Sequence, residues 1–166
     1  MTMNYPDWPG GPIRILILDV DGTMTDGGMY YSPEGLAMKR FDVKDGLGLA
    51  RLQEAGVEVA IISTDESPII LARARKVGIG DVVLGCADKG CAVRDLLAVR
   101  GIAPEQACYM GDDVSDLPAF REVGRTAAPA DAAREVVAAA GFVTKALGGR
   151  GAVREVCDLL LAAREH

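Results

Sequence analysis

Three short runs of this 166-residue chain, residues 13–18, 57–62 and 107–110, are apolar on both faces of a strand's two-residue period. Such a strand must be covered on both sides, which is the situation of a strand in a parallel sheet between two helical layers. The segments between the runs read as those helices. Asp45 is placed to cap a helix that stops at Gly56, Ser67 and Pro68 open one that stops at Gly78, and a third runs over 89–99 and closes at Gly101. Further helices are expected over 117–123, 132–140 and 152–163, with short strands at 82–84, 125–128 and 142–143. The alternation predicts an α/β fold, a doubly wound parallel sheet whose ligands bind beyond the carboxyl ends of the strands.

One segment breaks the alternation. Residues 28–43 hold two β-prone runs around Ser32-Pro33-Glu34-Gly35, with Pro second and Gly fourth as a type I turn prefers. They predict a β-hairpin flap that follows the first strand and carries Met29, Tyr30, Leu36, Met38 and Phe41, more apolar surface than a lone hairpin should expose. A length of 166 residues fits one domain, residues 1–166, with 1–12 as an extended tail and no room for a cap domain.

Composition removes several kinds of chemistry. The single histidine, His166, is the last residue, so Ser-His-Asp and Cys-His catalysis and His-ligated metal sites are excluded. With 18 Lys and Arg against 24 Asp and Glu the net charge is −6, which offers no footprint for nucleic acid. Cys86, Cys91, Cys108 and Cys157 lack Cys-x-x-Cys spacing and read as free thiols of a cytoplasmic protein. No apolar run is long enough for a membrane span, and 1–11 has neither a basic start nor a hydrophobic core segment.

What remains is carboxylate, hydroxyl and lysine chemistry. Asp19-Val20-Asp21-Gly22-Thr23 follows the first buried strand, and Gly111-Asp112-Asp113-Val114-Ser115-Asp116 follows another. In a parallel sheet both clusters reach the same edge, where unneutralised carboxylates would raise one another's pKa sharply. A cation resolves the repulsion, and an all-oxygen set selects Mg²⁺. Ser63 ends the second long strand and Lys89 opens the third helix, a hydroxyl and an ammonium suited to a bound phosphate.

The ordered set of Asp-x-Asp, hydroxyl, Lys and Gly-Asp-Asp-x-x-Asp resembles the four motifs of the haloacid dehalogenase superfamily of phosphatases. The segment 19–26 with its hairpin, Asp45-Gly46, residues 59–62 and the Gly148-Gly149-Arg150-Gly151-Ala152-Val153-Arg154-Glu155 stretch are similar to its 3-deoxy-D-manno-octulosonate 8-phosphate phosphatase branch. The resemblance implies a Mg²⁺-dependent phosphomonoester hydrolase working through an aspartyl-phosphate. In it Asp19 is the nucleophile and Asp21 the general acid and base. Asp19, Asp112 and the Asp21 carbonyl hold the metal, and Asp113 and Asp116 orient water or Lys89. Ser63 and Lys89 bind the phosphoryl group. It also implies a homotetramer in which Arg150, contributed across a subunit boundary, meets the substrate carboxylate. Where that branch carries Gly-Arg after the motif hydroxyl, this chain has Thr64-Asp65. Such a sequence is similar to the domains attached to sialic acid cytidylyltransferases, so a nonulosonate 9-phosphate is the alternative substrate. Two other classes compete. A phospho-acceptor receiver domain places its acidic pair ahead of the acceptor Asp, the reverse of the order here, and a non-catalytic oligomerisation domain would not need every catalytic position filled.

Overall fold

The computed structural model describes residues 12–164; the expected tail up to residue 11 and His166 lie outside the described residues. Six strands form one parallel sheet: β1 (Ile15–Leu18), β4 (Glu58–Ile62), β5 (Asp81–Val83), β6 (Ala107–Met110), β7 (Arg125–Ala128) and β8 (Phe142–Val143), in the order β5-β4-β1-β6-β7-β8. The central strands are buried on both faces for the reason the pattern gave. Leu16 and Leu18 of β1 join Val59 and Ile61 of β4 and Met110 of β6 in one core, while Ile15, Ile17, Ala60, Ile62 and Tyr109 join the other.

Helices α1 (Val43–Glu54), α2 (Pro68–Lys76) and α6 (Ala152–Ala162) cover the first face. Helices α3 (Lys89–Arg100), α4 (Leu117–Phe120) and α5 (Arg134–Ala139) cover the second, which completes the doubly wound arrangement. Both α4 and α5 are shorter than the sequence predicts, α4 ending at Phe120 and α5 spanning Arg134–Ala139. From β1 the chain moves outward to β4 and β5, then returns to β6 on the other side of β1. The order reverses there, so the crevice at the carboxyl ends of β1 and β6 is the place for a ligand.

The hairpin is β2 (Thr25–Ser32) paired antiparallel with β3 (Gly35–Phe41), turning at Pro33-Glu34 as expected. It begins earlier than the sequence predicts because Thr25 pairs with Phe41 at its base. Among the described residues this is the only insertion between β1 and α1, and no helix is long and apolar enough to cross a membrane. The glycine-rich segment after β8 lies against the start of the hairpin. A Cβ on Gly148 would collide with the Gly22 carbonyl oxygen, and the Gly149 amide donates to the Thr23 carbonyl at 3.0 Å.

One expectation is corrected. Asp42, not Asp45, caps α1, its side chain accepting the Lys44 amide at 2.7 Å. Asp45 lies inside the helix and is buried, and it accepts the Arg154 amide at 2.8 Å. It thereby supplies the start of α6, whose own cap position is Gly151, with the side-chain acceptor it lacks. Burial pushes the Asp45 carboxyl up to about 6, against the pull of the Arg154 and Gly151 amides. Asp45→Ala should therefore lower stability by about 1–2 kcal/mol, the cost of a lost helix cap, while Asp45→Asn keeps most of it. Thermal unfolding of the two variants checks this, and an equal loss for both would show that the acceptor oxygen is not what matters.

Candidate active site

Asp19 continues β1 by one residue, and its amide donates to the Met110 carbonyl at 3.0 Å, so the ends of β1 and β6 are stitched together where the carboxylates begin. Asp112 reaches the same point from β6. Its Oδ1 accepts the Thr23 hydroxyl at 3.1 Å, and its carboxylate fills the space beside Gly22, where a Cβ would overlap it. Gly22 also has φ +88°, so it is required there twice over. Lys89 enters from the first turn of α3, whose cap is Asp88. Its buried Nζ lies 2.7 Å from Asp19 Oδ1 and 2.6 Å from Asp116 Oδ1.

Asp116 is completely buried and fully engaged. Its Oδ1 accepts from Lys89 and from the Tyr109 hydroxyl at 2.8 Å, and its Oδ2 accepts the amides of Asp112 and Asp113 at 2.9 and 3.1 Å. Asp113, by contrast, is exposed and caps the 3₁₀ turn through the Val114 amide, so the structure does not bring it to Lys89.

Ser63 is buried at the end of β4. Its Oγ accepts the Asp65 amide at 3.1 Å, which leaves the hydroxyl proton free to donate. Arg150 lies at the rim, exposed, its guanidinium 3.4 Å from Asp26 of the same chain. Asp21 points toward the hairpin and pairs with Lys39, whose Nζ is also 2.6 Å from Asp65 Oδ2. Sequence reasoning missed Lys39, Asp65 and Tyr109. A signal for the first was present: Lys39 shares a strand face with Phe41, which packs inward, rather than with the exposed Met38.

The acidic groups fit a divalent cation. Asp19, Asp112 and Asp116 each bring an oxygen within 4.8 Å of the others, and the donors are all hard oxygens. Because both Asp116 oxygens already serve two donors each, the ligands left are Asp19 and Asp112. Burial and the neighbouring Asp116 push the Asp19 carboxyl up to about 6 despite Lys89, and burial with the Asp19 charge pushes Asp112 up to about 8. Burial disfavours the Lys89 charge, yet Asp19 and Asp116 together hold it above its ordinary value, so the ammonium persists.

These shifts fix a pH dependence. Both carboxyls titrate above their ordinary value of 3.8, so between about pH 4 and 8 the folded chain binds more protons than the unfolded one. Stability of the metal-free protein therefore falls as pH rises through that window. A divalent cation needs the deprotonated carboxylates, so it competes with those protons. The gain in Tm on adding Mg²⁺ should grow from pH 5 to pH 8. A gain that is flat with pH, or largest at pH 5, would contradict a cation held by Asp19 and Asp112.

Comparison with known proteins agrees with this geometry. The family model for haloacid dehalogenase-like hydrolases matches residues 73–153. The 3-deoxy-D-manno-octulosonate 8-phosphate phosphatase of Yersinia pestis is 44% identical over 92% of this chain and 82% of its own length. The cobalt-bound deoxy-D-mannose-octulosonate 8-phosphate phosphatase from Haemophilus influenzae superposes with a TM-score of 0.90 at 42% identity, over 92% of this chain and 90% of that one. The Moraxella catarrhalis enzyme, solved with a magnesium ion, a phosphate ion and a KDO molecule, gives 0.89 at 38% identity, over 92% and 88%. With a site of this make-up at the strand-order reversal and relatives matched over more than four fifths of their own length, the chain belongs to the haloacid dehalogenase-like hydrolases, in the branch of the 3-deoxy-D-manno-octulosonate 8-phosphate phosphatases.

Proposed function

We propose that this chain is a Mg²⁺-dependent phosphatase that removes the phosphate of 3-deoxy-D-manno-octulosonate 8-phosphate. The observation that carries the reading is the buried Lys89 ammonium holding Asp19 beside Asp112 at the end of β1. Phosphoryl transfer needs in-line positioning and charge neutralisation more than it needs covalent chemistry from many groups. Asp19, Asp112 and the Asp21 carbonyl would hold the cation, which would supply positive charge to the phosphoryl group.

An oxygen of Asp19 attacks phosphorus as the bond to the C8 oxygen breaks. Asp21 gives a proton to that leaving oxygen as it departs. Lys89 and the Ser63 hydroxyl hold the phosphoryl oxygens. Asp21 then takes a proton from water as the water oxygen attacks phosphorus, the bond to Asp19 breaks, inorganic phosphate leaves and Asp19 is regenerated. One carboxyl serves as acid and then base because the reaction is split into two displacements. Asp113, exposed and capping its own turn, is left to orient solvent, and Asp116 acts by fixing Lys89.

Specificity beyond phosphate needs more than an open site. Arg150, free to leave Asp26, is suited to the substrate carboxylate. The hairpin leaves Met29, Tyr30, Tyr31 and Met38 between 48% and 68% exposed, an apolar face that a homotetramer of packed hairpins would cover. The four cysteines are unpaired, in keeping with a cytoplasmic protein. A second substrate, a nonulosonate 9-phosphate, is favoured by one feature, Thr64-Asp65 after the motif hydroxyl.

Comparing kcat/KM for octulosonate 8-phosphate and nonulosonate 9-phosphates separates the two substrates; the octulosonate should lead, and a lead for the nonulosonate would replace it. Asp19→Asn should lower turnover by more than about 10³-fold, since an amide cannot replace the nucleophile. Activity within tenfold of wild type would refute the assignment. Light scattering should return four times the 17.4 kDa chain mass, and a monomer would remove the proposed packing of hairpins.

A further inference from the structure

Lys39 is the one buried lysine among the described residues that the phosphate chemistry does not use. It rises from β3 of the hairpin, its side chain fully buried, and its Nζ is shared between Asp21 Oδ1 and Asp65 Oδ2. The two carboxylates come from separate loops, one after β1 and one after β4. Asp65 is itself fixed: its Oδ1 accepts the Ser67 amide at 2.9 Å and its own amide donates to Ser63 Oγ. A cation on a flexible stem that met Asp21 alone would follow that carboxyl wherever it turned. Held by Asp65, it cannot.

The contact with Asp21 is one-sided. Lys39 takes Oδ1, while the Asp21 side chain remains 33% exposed. Anchoring one oxygen fixes the plane of the carboxyl and with it the direction in which the other oxygen faces. Two carboxylates around one ammonium also offset the cost of burying it, which a single pair would do less well. Burial works against the charge of Lys39, yet the bonds to Asp21 and Asp65 raise its pKa overall, so the brace stays ionised.

From this geometry we propose that Lys39, pinned by Asp65, is a positioning residue that fixes the orientation from which Asp21 protonates the leaving oxygen. The proposal rests on the reading of Asp21 as the general acid. It also gives Asp65, part of the Thr64-Asp65 departure from the branch pattern, a place in the machinery of this chain.

The test is the dependence of kcat/KM on leaving-group acidity across a series of aryl phosphates, from p-nitrophenyl phosphate to phenyl phosphate. These substrates carry no sugar acid, so recognition of the sugar does not enter. A phenol that leaves as a stable anion hardly needs a proton, whereas a poor leaving group does. Lys39→Met should therefore lose about tenfold or more extra on phenyl phosphate relative to p-nitrophenyl phosphate, a steepening in the same direction as Asp21→Asn. Lys39→Arg should recover the shallow wild-type slope in part, and Asp65→Asn should steepen it less than Lys39→Met. A residue that only braces the hairpin would lower all rates together. If Asp21→Asn steepens the series while Lys39→Met and Asp65→Asn lower it uniformly, the positioning role is overturned and the acid assignment stands. If Asp21→Asn itself lowers it uniformly, the acid assignment fails and takes this proposal with it. Should Lys39→Met not fold, Asp65→Asn alone decides between these results.

Discussion

An ammonium buried between two carboxylates organises the carboxyl edge of this sheet. Lys89 lies within hydrogen-bond distance of both Asp19 and Asp116, and the latter is held from its other side by Tyr109 and two backbone amides. Desolvating such a group costs several kcal/mol, and the pair attraction repays it only with good geometry and satisfied neighbours. The surrounding elements supply that geometry. Tyr109 stands on the β6 face opposite Met110, the 3₁₀ turn at Val114–Asp116 delivers the second carboxylate, and the Asp88 cap fixes the first turn of α3. Burial first, and then the neighbouring carboxylates, push Asp19 and Asp112 up, and Lys89 offsets this only in part at Asp19. With Asp19, Asp112 and Asp116 ionised against the one Lys89 ammonium, the cluster is short of two positive charges, which a divalent ion would supply.

The second constraint is close backbone approach. The loop that carries Asp19 and Asp21 is pressed by Gly148 and Gly149 from the segment after β8, and the Arg40 side chain on the hairpin donates to the Gly149 carbonyl at 2.6 Å. The hairpin, the loop after β1 and the glycine-rich segment are therefore one packed unit, although the last lies more than a hundred residues away in the chain. Lys39 and its two carboxylates join that unit to the loop after β4. The polar face of the hairpin thus belongs to the site, while its apolar face is left outward.

Much of this was legible in the chain because the relevant signals are local. Strands buried on both faces announce a parallel sheet, and Asp19, Ser63, Lys89 and Asp112 stand at boundaries that such a sheet brings to one edge. What was hidden depends on partners distant in sequence. Asp42 and Asp45 are both placed to cap α1, and nothing local separates them. Asp45 turns inward because Gly48 lets α1 approach α6, where a Cβ would come within 3.2 Å of Arg154 Cα. Asp113 and Asp116 look equivalent in the motif, yet the 3₁₀ turn sends one to solvent and the other into the core. Lys39 belongs to the site through two loops that only the folded chain sets beside the hairpin.

The central claim is that Asp19 becomes covalently phosphorylated during turnover. Rapid acid quench during turnover, followed by borohydride reduction and mass spectrometry, reads this directly, because reducing an aspartyl-phosphate leaves homoserine at that position. The account predicts homoserine at residue 19, dependent on substrate and on Mg²⁺. Modification at another carboxylate, or steady turnover with no trapped residue under conditions where the intermediate must accumulate, would contradict it.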